Sequence, residues 1–155
     1  MKKKGFTLVE IMIVVAIIAL LAAISIPNLL RARVTAQETA AAAALHTIAA
    51  AEIQWRASNN AYASLDQLGP TAPTLTLPPY IDATLETGVK QGYTFTVTPN
   101  AGVNFFAVAD SNNATAGHAF YIDEAGVLCR STAEGTGSAL AAHQSGICPA
   151  AHPEM

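Results

Sequence analysis

The chain has 155 residues and a mass of 16.0 kDa, enough for one domain with one core and no more. Only 12% of its residues are charged and 52% are hydrophobic, which excludes a disordered, highly solvated chain. The formal net charge is -3, and setting aside Lys2, Lys3 and Lys4 leaves -6, which argues against a nucleic-acid binder.

The chain opens Met-Lys-Lys-Lys, then Gly5. No polar side chain occurs from Ile11 to Ile24, and extension to Leu30 adds only Ser25, Pro27 and Asn28. That makes about 20 largely apolar residues, the length of a helix that crosses a bilayer core. Lysines precede the run and none follows it directly, so the N-terminus is expected to stay cytoplasmic while the rest crosses. A cleaved signal peptide would need a small-residue site, for which Ala22-Ala23 and Ile24-Ser25 are weak candidates. A plain signal anchor fits length and charge. Neither explains Glu10, a carboxylate at the edge of the run that costs about 2–3 kcal/mol in lipid unless it is partnered. A position at headgroup level would remove most of that cost.

The string Lys4-Gly5-Phe6-Thr7-Leu8-Val9-Glu10, followed by the apolar run and Pro27, resembles the N-terminal signature of type IV pilins and type II secretion pseudopilins. The resemblance covers residues 1–33. It implies a leader over 1–5, a membrane and filament-core helix over 6–30, and a globular head over 31–155. It also implies that a prepilin peptidase cuts between Gly5 and Phe6 and methylates the new Phe6 amine. Glu10 would then pair with the Phe6 amine of a neighbouring copy. The partners implied are further copies of the chain, the peptidase, the assembly machinery of the inner membrane, and lipid before assembly. The location implied is the inner membrane first and an extracellular filament afterwards. Within the family, a periplasmic pseudopilin and a minor pilin acting as a binding module are the alternatives. In physical terms, an ammonium at Phe6 and a carboxylate at Glu10 stand one helical turn apart, which permits a pair within one subunit. Between subunits the same pair would fix axial register.

Residues 34–59 continue a helical pattern. Ala36 and Ala40 to Ala44 are strong helix formers, and Leu45, Ile48 and Trp55, with Tyr62 beyond, mark one apolar face. Glu52 falls on that face without an evident reason. Asn59-Asn60 is the expected stop. A helix from Phe6 to Asn59 would run roughly 80 Å, too long for this chain to bury, so its first half is expected to protrude from the head. Pro27 removes a backbone donor and is expected to kink or loosen the helix.

Residues 60–91 read as irregular, with Pro70, Pro73, Pro78 and Pro79. Two short helices fit there: one opened by Ser64 with Gln67 and ended by Gly69, the other capped by Asp82 over Ala83–Thr87 and stopped by Gly88. From Gly92 the period becomes two. Strands are expected at 93–98, 104–109, 118–122 and 127–130, with turns at Pro99–Gly102 and at Asp123–Gly126. The fold class is therefore α+β, a roughly four-stranded antiparallel meander packing its aromatic face on the Leu45–Trp55 stripe. Residues 131–155 read as a loop or tail.

Cys129 and Cys148 are the two cysteines. In an oxidising compartment a bridge between them would close the tail onto the sheet, with a loop-entropy contribution of about 3 kcal/mol. Two free thiols are the alternative. A cysteine-closed C-terminal loop also resembles that of many pilins. His46, His118, His143 and His152 lack metal-ligand spacing and read as surface residues. Asp110, Asn112 and Asn113 read as a turn rather than a calcium loop. No nucleophile motif or phosphate loop occurs, so the reading is structural, with no enzyme activity, no cofactor and no metal.

Overall fold

The computed structural model describes residues 5–71, 78–100, 103–113 and 117–134. Among the described residues, three helices, α1 Leu8–Asn59, α2 Leu65–Leu68 and α3 Ala83–Glu86, precede five strands. The strands are β1 Val89–Lys90, β2 Tyr93–Asn100, β3 Asn104–Ser111, β4 His118–Asp123 and β5 Leu128–Glu134. They form one antiparallel sheet in the order β1-β2-β3-β4-β5. The chain divides into two compact units, Met1–Thr35 and Ala36–Met155.

The first unit is helical from Leu8 onward. Every large apolar side chain from Leu8 to Leu30 is between 51% and 75% exposed. Full burial of one such side chain is worth about 1.5–3 kcal/mol. Summed over the segment, that exceeds the whole net stability of an ordinary domain. Pro27 sits inside α1, with helix assigned on both sides. It donates no N–H, so the Ala23 carbonyl lacks its usual intrahelical donor.

The second unit has a core of its own. Leu45 and Ile48 are fully buried, and Trp55 and Tyr62 nearly so, in one cluster with Tyr93, Phe95, Phe105 and Phe120. The expected helix face and aromatic strand face therefore meet. Tyr62 packs on Phe105 with ring centroids 4.9 Å apart, and Trp55 meets Tyr80 edge-on at 5.9 Å. α1 ends as its sequence suggests. Asn60 adopts φ +53°, its N–H donates to the Arg56 carbonyl at 2.8 Å, and Asn59 Nδ2 donates to the Trp55 carbonyl at 3.1 Å.

The short helices form where expected. Gln67 Oε1 accepts from the Ser64 N–H at 3.0 Å and from its hydroxyl at 3.1 Å. Asp82 Oδ1 accepts from the Leu85 N–H at 3.2 Å, and Gly88 has φ +72°. Gly126, at φ +77°, closes the turn by donating to the Asp123 carbonyl.

Four details differ from the sequence reading. A fifth strand, β1, follows α3; two residues carry no visible period. Pro99 and Asn100 belong to β2, paired with Phe105 and Asn104, so the turn begins after them. Register with β3 overrides the turn preference of Pro-Asn. β5 continues to Glu134 because His118 of β4 still offers it a partner there. Finally, β4 is buried on both faces. Val108, Ala119, Tyr121 and Cys129 form a second apolar cluster on the sheet, with Phe106 and Val127 against it.

Candidate functional site

The candidate site is the start of α1. Gly5, Phe6 and Thr7 precede the helix, and Phe6 is 86% exposed. A side chain added at Gly5 would meet nothing within 4 Å. Among the described residues, neither packing nor space explains a glycine there.

Thr7 and Glu10 form a reciprocal capping box. Glu10 Oε2 accepts from the Thr7 N–H at 2.8 Å and from the Thr7 hydroxyl at 2.8 Å. The Glu10 N–H in turn donates to Thr7 Oγ1 at 3.3 Å. The physical reason is local. The first N–H groups of a helix have no intrahelical acceptor, and a threonine at the cap with a glutamate three residues on satisfies two of them. Sequence reasoning treated Thr7-Leu8-Val9-Glu10 as a family signature and overlooked the Thr-x-x-Glu pattern that announces this box. It also allowed Phe6 and Glu10 to share a helical turn. In the structure Phe6 lies outside the helix, and the carboxylate is engaged with Thr7.

Beyond the box, an 18-residue window of α1 reaches a mean hydropathy of 2.9, and none of it is buried within the chain. This is the one helix among the described residues long and apolar enough to cross a membrane.

The remaining candidates lie in the second unit. Cys129 is buried in β5 and is not a free thiol, whereas Cys148 lies outside the described residues. His118 is not the plain surface residue expected. Its N–H donates to Glu38 Oε1 at 2.8 Å, and its Nδ1 lies 2.7 Å from the same oxygen. The Tyr93 hydroxyl donates to the His118 carbonyl at 2.9 Å, which ties α1, β2 and β4 together. Burial, with the Glu38 charge nearby, pushes the Tyr93 phenol up to about 12. Asn112 Oδ1 accepts from the Thr94 hydroxyl at 2.7 Å, which gives it a structural task. His46 is exposed, and His143 and His152 lie outside the described residues.

Glu52, the anomaly of the apolar stripe, is fully buried. Its Oε2 accepts from the Ala63 N–H at 2.9 Å and so fastens the chain after it leaves α1. Its Oε1 takes no hydrogen bond among the described residues. Burial raises its carboxyl to about 7, against the pull of the Ala63 N–H.

Comparison with known proteins adds two findings. The family described as the prokaryotic N-terminal methylation motif matches residues 1–26. The chain is also 49% identical over 61 residues to the type IV wide pilus major component PilA4 of Thermus thermophilus. That match covers 39% of this chain and 47% of the relative, so it spans about half the relative's length.

Proposed function

We propose that this member of the type IV pilin family is a structural subunit of a type IV pilus-like filament, held in the inner membrane as a precursor, processed after Gly5 and polymerised through α1. The observation that carries the reading is the exposed apolar surface from Leu8 to Leu30. A surface of that size needs lipid or other protein around it. Lipid serves the single subunit, and copies of the same helix serve the filament.

Several details support the proposed route. Gly5 answers to nothing among the described residues, which suits a glycine selected by a processing enzyme. Phe6 is exposed and non-helical, so the bond before it is open to attack. Cleavage there removes Lys2, Lys3 and Lys4 and leaves a single ammonium on Phe6, which the same enzyme would methylate. In the filament core that ammonium leaves water, and Glu10 of another copy is its proposed partner. The similarity to a major pilus component favours a surface pilus over the periplasmic pseudopilus. We further propose that Cys129 bridges Cys148 once the chain is exported.

Sheared surface filaments test the whole reading. Their subunit should have the intact mass of a chain beginning at Phe6, with one added methyl group and two hydrogens fewer for the bridge. Maps of the same filaments should show the helix loosened across Ile24–Leu30, around the donor missing at Pro27. A subunit that retains Lys2–Lys4, or is cut after Ala23, overturns the processing route.

A further inference from the structure

The apolar run of α1 ends on a pair of cations. Leu29 and Leu30 are largely exposed, and Arg31 and Arg33, which follow them, are exposed as well. Neither arginine has an ion-pair partner among the described residues. The next acidic residue after Glu10 is Glu38, whose Oε1 is already taken by the N–H and Nδ1 of His118. The chain's other arginines are engaged. Arg56 Nη1 donates to the Tyr62 hydroxyl at 2.6 Å with its guanidinium over the ring, and Arg130 has partners too.

We propose that Arg31 and Arg33 form a collar that binds the phosphate groups of anionic lipids and fixes the depth at which the subunit sits in the membrane before assembly. This rests on the reading of Leu8–Leu30 as the membrane-spanning segment. Length places the collar. Leu8 to Leu30 rises roughly 33 Å as a helix, and a tilt of about 20° brings that to the ~30 Å of a hydrocarbon core. Arg31 and Arg33 then stand at the headgroups of the face opposite Lys2–Lys4. Side chains on a helix lean towards its N-terminus, so both arginines lean back towards the bilayer and lay their apolar stems along it. Two residues are about 200° apart around a helix, so the two guanidiniums grip lipids on opposite sides. Their planar forks match phosphate oxygens in pairs, which suits this ligand better than a diffuse negative surface.

The full chain in zwitterionic detergent micelles, titrated with dihexanoyl-phosphatidylglycerol, tests the collar. The side-chain Nε–H resonances of Arg31 and Arg33 should move, while those of Arg56 and Arg130 stay as internal references. Movement of all the arginine signals together, or of none, overturns the proposal. Inorganic phosphate at the same concentration should move none of them, and an equal response to it would replace the lipid by a free anion. Arg31→Gln/Arg33→Gln should weaken retention of phosphatidylglycerol, read by native mass spectrometry, by between about fivefold and twenty-fivefold. Arg31→Lys/Arg33→Lys should recover most of it, and Lys2–Lys4 are the same in every variant. The competing occupant is a carboxylate of a second copy. If the Arg31 and Arg33 signals follow protein concentration and ignore the lipid, the collar is an interface between copies and the proposal fails. Flotation of the full chain with phosphatidylcholine vesicles separates the two ideas. A chain that stays out of the vesicle fraction defeats the membrane reading. A chain that inserts, but retains anionic lipid equally with and without the two arginines, defeats the collar alone.

Discussion

Leu21 and Leu45 are the same residue on the same helix, yet Leu21 is 59% exposed and Leu45 is fully buried. Helix propensity cannot separate them, because both segments are helical. What separates them is the rest of the chain. Around Leu45 the sheet supplies Phe95, Phe105 and Phe120 to one cluster, and Leu21 belongs to no such cluster among the described residues. The second unit thus has an apolar core of its own, while the apolar side chains of the first remain exposed among the described residues. Changes in the first region should therefore act on assembly, and changes in the second on folding.

The sharpest way to break that division is Glu10→Ala. Filament yield should fall by roughly two orders of magnitude, the scale on which loss of one partner of a buried ion pair acts. Membrane insertion and the thermal unfolding of the second unit should stay as in the wild type. Counting sheared filaments against processed subunit in the membrane measures the loss, and wild-type yield would return Glu10 to a mere interfacial residue.

Leu45→Ala probes the other side. It should cost about 3 kcal/mol of stability in the second unit, through lost burial and the cavity left behind. Insertion of the first segment should not change. Thermal denaturation of the full chain in micelles, alongside a membrane-fractionation assay, reads both outcomes.

A smaller and pH-dependent effect belongs to Glu52. Its carboxyl is raised from the ordinary 4.5 to about 7 because burial favours the neutral form. The folded state therefore holds its proton more tightly than the unfolded state does. That stabilisation is complete below pH 4.5 and is lost as the pH rises through about 7. Glu52→Gln should flatten stability across that window and leave the variant more stable than the wild type at pH 8, by about 2 kcal/mol. Unfolding midpoints at pH 5, 6, 7 and 8 decide it, and parallel curves for the two proteins would reject the account.

The α+β class, the apolar face of α1 and four of the five strand positions were legible because each rests on local period. Tyr93 and Phe95 alternate with Thr94 and Thr96, and Leu45, Ile48 and Trp55 recur at helical spacing. The stops were legible for a similar reason, since Asn60, Gly88 and Gly126 answer to backbone conformations that few residues adopt. What escaped depends on contacts distant in sequence. Glu52 looked misplaced until Ala63, eleven residues on, proved to be its donor. His118 looked like a surface residue because Glu38 stands 80 residues away. β1 is too short to show alternation. The one local signal overlooked was Thr7-x-x-Glu10, whose value as a family signature masked its value as a helix cap.

Pro99 has a consequence for how copies of this protein can and cannot stick together. β1 pairs with β2 only through Val89–Thr94 and Lys90–Tyr93, so from Thr96 to Asn100 no described strand lies on that side of β2. An open edge of this kind is a template for uncontrolled strand addition and amyloid-like zippering. The Phe95 N–H points to that side, since it donates to the Gly88 carbonyl at 2.7 Å. Donors alternate along a strand, so position 99 faces the same way, and there proline has none to offer. Only the Val97 N–H remains along the stretch. The sheet is blunted along this edge of β2, so strand addition there is disfavoured, and under the proposed assembly that leaves contact between copies to the helix.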